Sequence, residues 1–119
     1  MVIVSRFIPL PAIDTTISVT LTGTGNRDNC YATIGGTKRY GAGTYEVEPG
    51  DAITFGVYGY SATYYGEVRI DGTQVLSSTA RSTKTYDWTV PGGKKKINIS
   101  MTYTSTSSRR NGRITVTTE

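Results

Sequence analysis

The run Ile17-Ser-Val-Thr-Leu21 alternates apolar and hydroxyl residues, and the same two-residue period recurs down the chain. A period of two puts successive side chains on opposite faces of an extended backbone, so each such run predicts a strand with one buried face. Further strands are expected at residues 30–34, 44–48, 52–60, 67–71, 73–76, 84–90, 96–103 and 113–117. Ile53, Phe55 and Val57 share one face of their strand, and Ile97, Ile99, Met101 and Tyr103 share another. Tyr86, Trp88 and Val90 also fall together, which places the sole Trp in the core or at its edge. No stretch holds a 3.6-residue apolar period, so no helix is expected.

Turn residues separate these runs. Gly35-Gly36, Pro49-Gly50-Asp51, Asp71-Gly72 and Pro91-Gly92-Gly93 combine preset φ at Pro with the positive φ that Gly tolerates. Pro49-Gly50-Asp51 is expected to close a hairpin between its flanking strands, and Asp71-Gly72 a tight two-residue hairpin. Residues 77–83 and 105–112 read as polar connections. Short strands with one apolar face each must hide that face against a second sheet. The expected fold is therefore all-β, an immunoglobulin-like antiparallel β-sandwich of about eight strands, with a small barrel as the other closure. It is assigned to residues 15–119. Residues 1–14 break the rhythm, and Phe7, Ile8, Pro9, Leu10 and Pro11 make an apolar, proline-stiffened stretch. It is expected to form an extended arm, either packed on its own domain as an edge strand or reaching a neighbouring subunit as an assembly contact.

Composition narrows the function more than the fold. With 119 residues the chain suits one core, and with Cys30 alone it forms no intrachain disulfide. Cys30 reads as a small buried hydrophobe. The chain has no histidine, which removes the commonest general base and the Ser/His and Cys/His nucleophile pairings. Asp14, Asp28, Glu46, Glu48, Asp51, Glu67, Asp71 and Asp87 scatter over turns and strand exteriors, with no pair predicted to converge. The chain is thus expected not to be an enzyme, with no catalytic residue, no metal ligand and no cofactor. Asn26-Arg-Asp-Asn29 supplies oxygens of the kind calcium takes, but Arg27 within it and the lack of a graded acidic pattern argue against a metal site. The beginning of the chain carries Arg6, Pro9 and Pro11 and lacks the form of a signal peptide. No stretch approaches the roughly 20 apolar residues of a membrane-spanning helix.

Two groups of residues could make surfaces. Tyr58, Tyr60, Tyr64 and Tyr65 crowd one strand end and its loop, where tyrosines with small neighbours give rigid amphipathic contact area. They read either as ordinary half-buried strand tyrosines or as a contact surface for protein or carbohydrate. Basic loops contain Lys94, Lys95, Lys96, Arg109 and Arg110 within a net charge of +4. These loops flank one strand and so fall at its opposite ends. Without aromatic residues interleaved with the charge along the sequence, nucleic acid is not the expected partner.

The segments Tyr31-Ala-Thr-Ile-Gly-Gly36, Tyr45-Glu-Val-Glu-Pro-Gly-Asp-Ala-Ile-Thr-Phe55, Glu67-Val-Arg-Ile-Asp-Gly72, Lys84-Thr-Tyr-Asp-Trp-Thr-Val90 and Gly112-Arg-Ile-Thr-Val-Thr-Thr118 follow one another in order. In this grammar the chain resembles the small immunoglobulin-like structural proteins of tailed bacteriophages and prophages. The resemblance implies a virion component, such as a capsid decoration, head-fibre, neck or tail accessory protein. It further implies other virion proteins as partners, a homo-oligomer, and synthesis in the bacterial host cytoplasm. The alternative is a carbohydrate-binding or adhesin-like module that meets cell-surface glycans through its tyrosines.

Overall fold

The computed structural model describes residues 15–107 and 109–119, so the arm expected over residues 1–14 lies outside the described residues. Ten strands are present among the described residues: β1 (Ile17–Thr24), β2 (Cys30–Ile34), β3 (Thr37–Arg39), β4 (Gly43–Val47), β5 (Ala52–Gly59), β6 (Gly66–Ile70), β7 (Thr73–Ser78), β8 (Ser82–Thr89), β9 (Lys96–Ser105) and β10 (Arg110–Thr118). They form two sheets, one in the order β4-β1-β9-β10-β6-β7 and the other β3-β2-β5-β8. The all-β expectation holds, as does the burial of one apolar face per sheet.

The core lies between the sheets. Ile17, Val19 and Leu21 of β1, Ile97, Ile99 and Met101 of β9, and Ile114 and Val116 of β10 meet Ile53, Phe55 and Val57 of β5 and Cys30, Ala32 and Ile34 of β2. Nearly all are fully buried. Trp88 sits half-buried at the margin, its ring 6.1 Å from that of Phe55. The outer face of the six-stranded sheet carries hydroxyl and amide rungs instead, for example Thr22 beside Ser100 beside Thr115. Such cross-strand hydroxyl pairs suit a face turned to water.

Three features depart from the sequence-based expectation. First, the sandwich is not wholly antiparallel, because β1 pairs parallel with β9 and β10 pairs parallel with β6. Alternation fixes which side chains face inward, but not which strand becomes a neighbour. Second, Pro49-Gly50-Asp51 does not close a hairpin. β4 pairs with β1 and β5 with β2 and β8, so this turn is an arch carrying the chain from one sheet to the other. Asp51 Oδ2 accepts from Glu48 N at 2.9 Å within it, and Gly50 N donates to Val90 O at 2.9 Å. A reversal in direction needs the same residues whether or not the two strands pair. Third, β3 is an extra strand of three polar residues, which an edge position permits without any apolar alternation.

The Asp71-Gly72 hairpin is as expected. Ile70 pairs with Thr73, and φ is 49° at Asp71 and 84° at Gly72. Two consecutive positive φ values are those of a type I′ turn, whose twist matches that of the strands.

Candidate functional site

One end of the sandwich is shaped by glycines at which the backbones nearly touch. β5 puts Val57 inward and Tyr58 outward, then reaches Gly59, where a Cβ would lie 1.6 Å from the Ser78 carbonyl oxygen. On β10, a Cβ at Gly112 would lie 2.7 Å from the Asn29 carbonyl oxygen. Only residues without a side chain allow this pinch. At Gly66 a Cβ would lie 2.4 Å from the Tyr58 carbonyl oxygen and 3.2 Å from that of Gly112, which brings the end of β5, the start of β6 and the β9–β10 hairpin into one neighbourhood.

The loop between β5 and β6 is held by its own backbone. Tyr60 N and Ser61 N donate to Tyr64 O at 2.8 and 3.2 Å, and Tyr64 N donates to Ser61 Oγ at 3.1 Å. Asn111 Nδ2 of β10 donates to Tyr65 O at 3.1 Å and ties the loop to the hairpin. Within the hairpin, Thr106 N donates to Arg109 O at 2.7 Å.

As a result, every tyrosine of the sequence-derived contact surface carries an arginine over its ring. Arg110 lies 4.6 Å from the Tyr58 centroid, Arg81 4.7 Å from Tyr60, Arg109 4.7 Å from Tyr64 and Arg113 4.4 Å from Tyr65. Arg81 Nη2 also donates to Tyr60 Oη at 3.1 Å, and Arg109 Nη1 to Tyr64 Oη at 2.7 Å. With Lys38 over Tyr31 and Arg39 over Tyr45, the described residues hold six cation–π pairs. Proteins show such pairs roughly once per 70–80 residues, so four at one end are a concentration and not background. Arg39 on Tyr45 joins the edge strands β3 and β4 of the two sheets, whereas Lys38 on Tyr31 lies beside β5, where Tyr31 pairs with Gly56, two residues from Tyr58.

The four tyrosines are half-buried and the four arginines exposed. Among the described residues the single ion pair is Arg69 with Glu67 at 3.0 Å, so Arg81, Arg109, Arg110 and Arg113 form none with a described carboxylate, although Glu67 is Arg113's register partner across β6 and β10. Tyr58, Tyr60, Ser105, Thr106, Ser107, Arg109 and Arg110 line a hollow of about 280 Å3. Arg81 has φ of 54°, a left-handed conformation that costs a non-glycine residue about 1–2 kcal/mol. It is this residue that stacks on Tyr60.

The other sequence candidates fall outside this face. Lys94, Lys95 and Lys96 lie at the far end of β9, where Lys95 N donates to Glu119 O at 2.7 Å. Phe7, Ile8, Pro9, Leu10 and Pro11 lie outside the described residues. Asn26 Oδ1 accepts from Asp28 N at 3.0 Å and from Asn29 Nδ2 at 2.8 Å, so this oxygen is spent on its own loop. Cys30 is fully buried, and burial pushes its thiol pKa up to about 12. Glu67 faces away from the core but is covered by Arg69 and Gln74, whose Nε and Nε2 donate to it at 3.0 and 2.9 Å.

Sequence reasoning missed Arg81 and Arg113, and it treated the tyrosines and the arginine loop as separate surfaces. Arg109 and Tyr64 stand 45 positions apart, and no local pattern signals that they meet. No family model, curated protein or solved structure matches this chain.

Proposed function

We propose that this chain is an immunoglobulin-like, non-enzymatic attachment domain of a phage or prophage particle, and that the arginine–tyrosine face is the surface by which it docks on another protein. The observation that carries this reading is the set of four Arg–Tyr cation–π pairs whose arginines form no ion pair among the described residues. Tyrosine and arginine are enriched at the centres of protein interfaces, because each gives a large contact area together with directional donors. Stacking holds each guanidinium in place before a partner arrives, which lowers the ordering cost of docking. Residues 1–14 are a second contact in this proposal, used between copies of the chain. The virion context rests on the sequence resemblance.

The carbohydrate alternative gains less from the geometry. A pyranose stacks on an open aromatic face, and here the guanidinium groups lie over those rings.

The test is co-sedimentation. Purified virions of the phage that encodes the chain are expected to contain it. Particles stripped of it are expected to rebind the wild-type chain and not one carrying Arg109→Gln and Arg110→Gln. A chain absent from virions and left in the supernatant by stripped particles overturns the reading.

A further inference from the structure

The arginine–tyrosine face is built almost wholly of hydrogen-bond donors, and this selects its partner. Each guanidinium has five N–H groups in a planar fork. Arg81 and Arg109 each use one on a tyrosine oxygen, while the guanidinium groups of Arg110 and Arg113 have no hydrogen-bond partner among the described residues. Tyr60 Oη and Tyr64 Oη each accept from an arginine, which leaves their own O–H free to donate outward. Ser105 and Ser107 add exposed hydroxyls at the rim of the hollow, and no carboxylate among the described residues lines it. Converging donors of this kind fit an oxyanion.

Three observations choose among the polymers that carry oxyanions. The rings are already covered, so a nucleobase has no open aromatic face to stack on without displacing an arginine. The positive charge does not continue along the hairpin strands: Lys94, Lys95 and Lys96 stand at the opposite end of β9. A nucleic-acid backbone repeats its charge along its length and favours a continuous groove. The hollow of about 280 Å3 is compact, sized for a few side chains. We infer that the docking partner is an acidic protein segment, whose Asp and Glu carboxylates are gripped at their edges by Arg109 and Arg110, with Arg81 and Arg113 flanking. The guanidinium fork matches a carboxylate with two parallel hydrogen bonds, which a lysine ammonium does not reproduce.

This inference rests on the attachment reading and names its partner chemistry. The probe is fluorescein-labelled octaglutamate, followed by fluorescence anisotropy with the full chain at low and moderate salt, with labelled octathymidylate as the competing polymer. Octaglutamate is expected to bind the wild type, and Arg109→Gln with Arg110→Gln to weaken it by about tenfold or more, the scale of losing charge-assisted hydrogen bonds. Arg109→Lys with Arg110→Lys is expected to lose most of that affinity although net charge is kept. Lys94→Gln with Lys95→Gln, at the far end, is expected to leave it unchanged. Thermal melts of each variant check the fold, and the lysine pair carries the comparison if the glutamine pair melts early.

Equal losses from the Lys94/Lys95 variant would mean diffuse attraction and overturn the site. Lysine variants that bind like the wild type overturn the fork. Tighter binding of octathymidylate assigns the face to nucleic acid instead. If stripped virions require Arg109 and Arg110 yet octaglutamate does not bind, the partner chemistry fails while the attachment reading stands. If octaglutamate binds as expected and virions ignore the chain, the attachment reading fails alone.

Discussion

Gly59 passes Ser78 so closely that a Cβ on it would lie 1.6 Å from the Ser78 carbonyl oxygen. Backbone meets backbone there, so no flexible side chain can yield. Gly59→Ala is expected to destabilise the fold by about 3 kcal/mol or more, at the upper end of overpacking costs. Gly41→Ala, with nothing near its Cβ, is the control and is expected to stay close to wild type. Urea melts of the two variants make the comparison. A Gly59→Ala chain as stable as Gly41→Ala would show that the pinch relaxes freely.

Asp71 gives the fold a pH-dependent tie. Its carboxyl is held below the ordinary carboxylate pKa, chiefly by the Thr118 N–H at 2.8 Å and then by the Thr118 hydroxyl at 2.7 Å. A folded-state pKa below the unfolded one adds stability that is complete above the unfolded value, about 4, and fades as pH falls through the lower folded value. Asp71→Asn keeps a residue that tolerates φ of 49° while removing the charge. The stability gap between wild type and Asp71→Asn is therefore expected to be widest near neutral pH and to close as pH falls below about 4. A gap that stays constant down to acid pH would remove the carboxylate from the explanation.

Cys30 reports global opening. Its side chain is fully buried between the sheets and its thiol pKa is about 12, so native protein presents neither access nor thiolate. A disulfide-exchange reagent at mildly alkaline pH is expected to label it at a rate set by unfolding, and at once in denaturant. Rapid labelling in native buffer would contradict the packing at β2.

Phe55 is fully buried and neighbours the only tryptophan, with ring centroids 6.1 Å apart. Phe55→Ala is expected to cost about 3–5 kcal/mol, as large-to-small core changes do. Trp88 emission is expected to shift to the red as water reaches its ring. A stable variant with unchanged emission would place the core elsewhere.

How far the sequence revealed this molecule depends on the range over which each feature is encoded. Ile53, Phe55 and Val57 declare an inward face through neighbours two positions away, and Asp71-Gly72 declares its turn in two residues. Such short-range signals survive in the fold. Pro49-Gly50-Asp51 declares a reversal but not the sheet that receives the next strand, because the sheet is chosen by partners far along the chain. The candidate site lies at the far end of this scale. Its tyrosines were visible as a cluster, yet their pairing with Arg81, Arg109, Arg110 and Arg113 follows from glycine-permitted contacts between strands distant in sequence. The β9–β10 hairpin and the β5–β6 loop each looked complete in isolation.

The pairing of Arg109 with Tyr64 can be measured in parts. The guanidinium lies 4.7 Å from the ring centroid and also donates to Tyr64 Oη at 2.7 Å, so stacking and hydrogen bonding act on one side chain. In a double-mutant cycle with Arg109→Ala, Tyr64→Phe removes the oxygen and keeps the ring, whereas Tyr64→Ala removes both. Both groups border water, so the full coupling is expected to be about 0.5–1 kcal/mol, the range for exposed cation–π pairs. If stacking orients the arginine, the Tyr64→Phe cycle shows little of that coupling while the Tyr64→Ala cycle shows all of it. If the hydrogen bond does so, the two cycles show it equally. A coupling near zero in both cycles would mean that Arg109 is not held in place before docking, and the preorganisation ascribed to this face would fail with it.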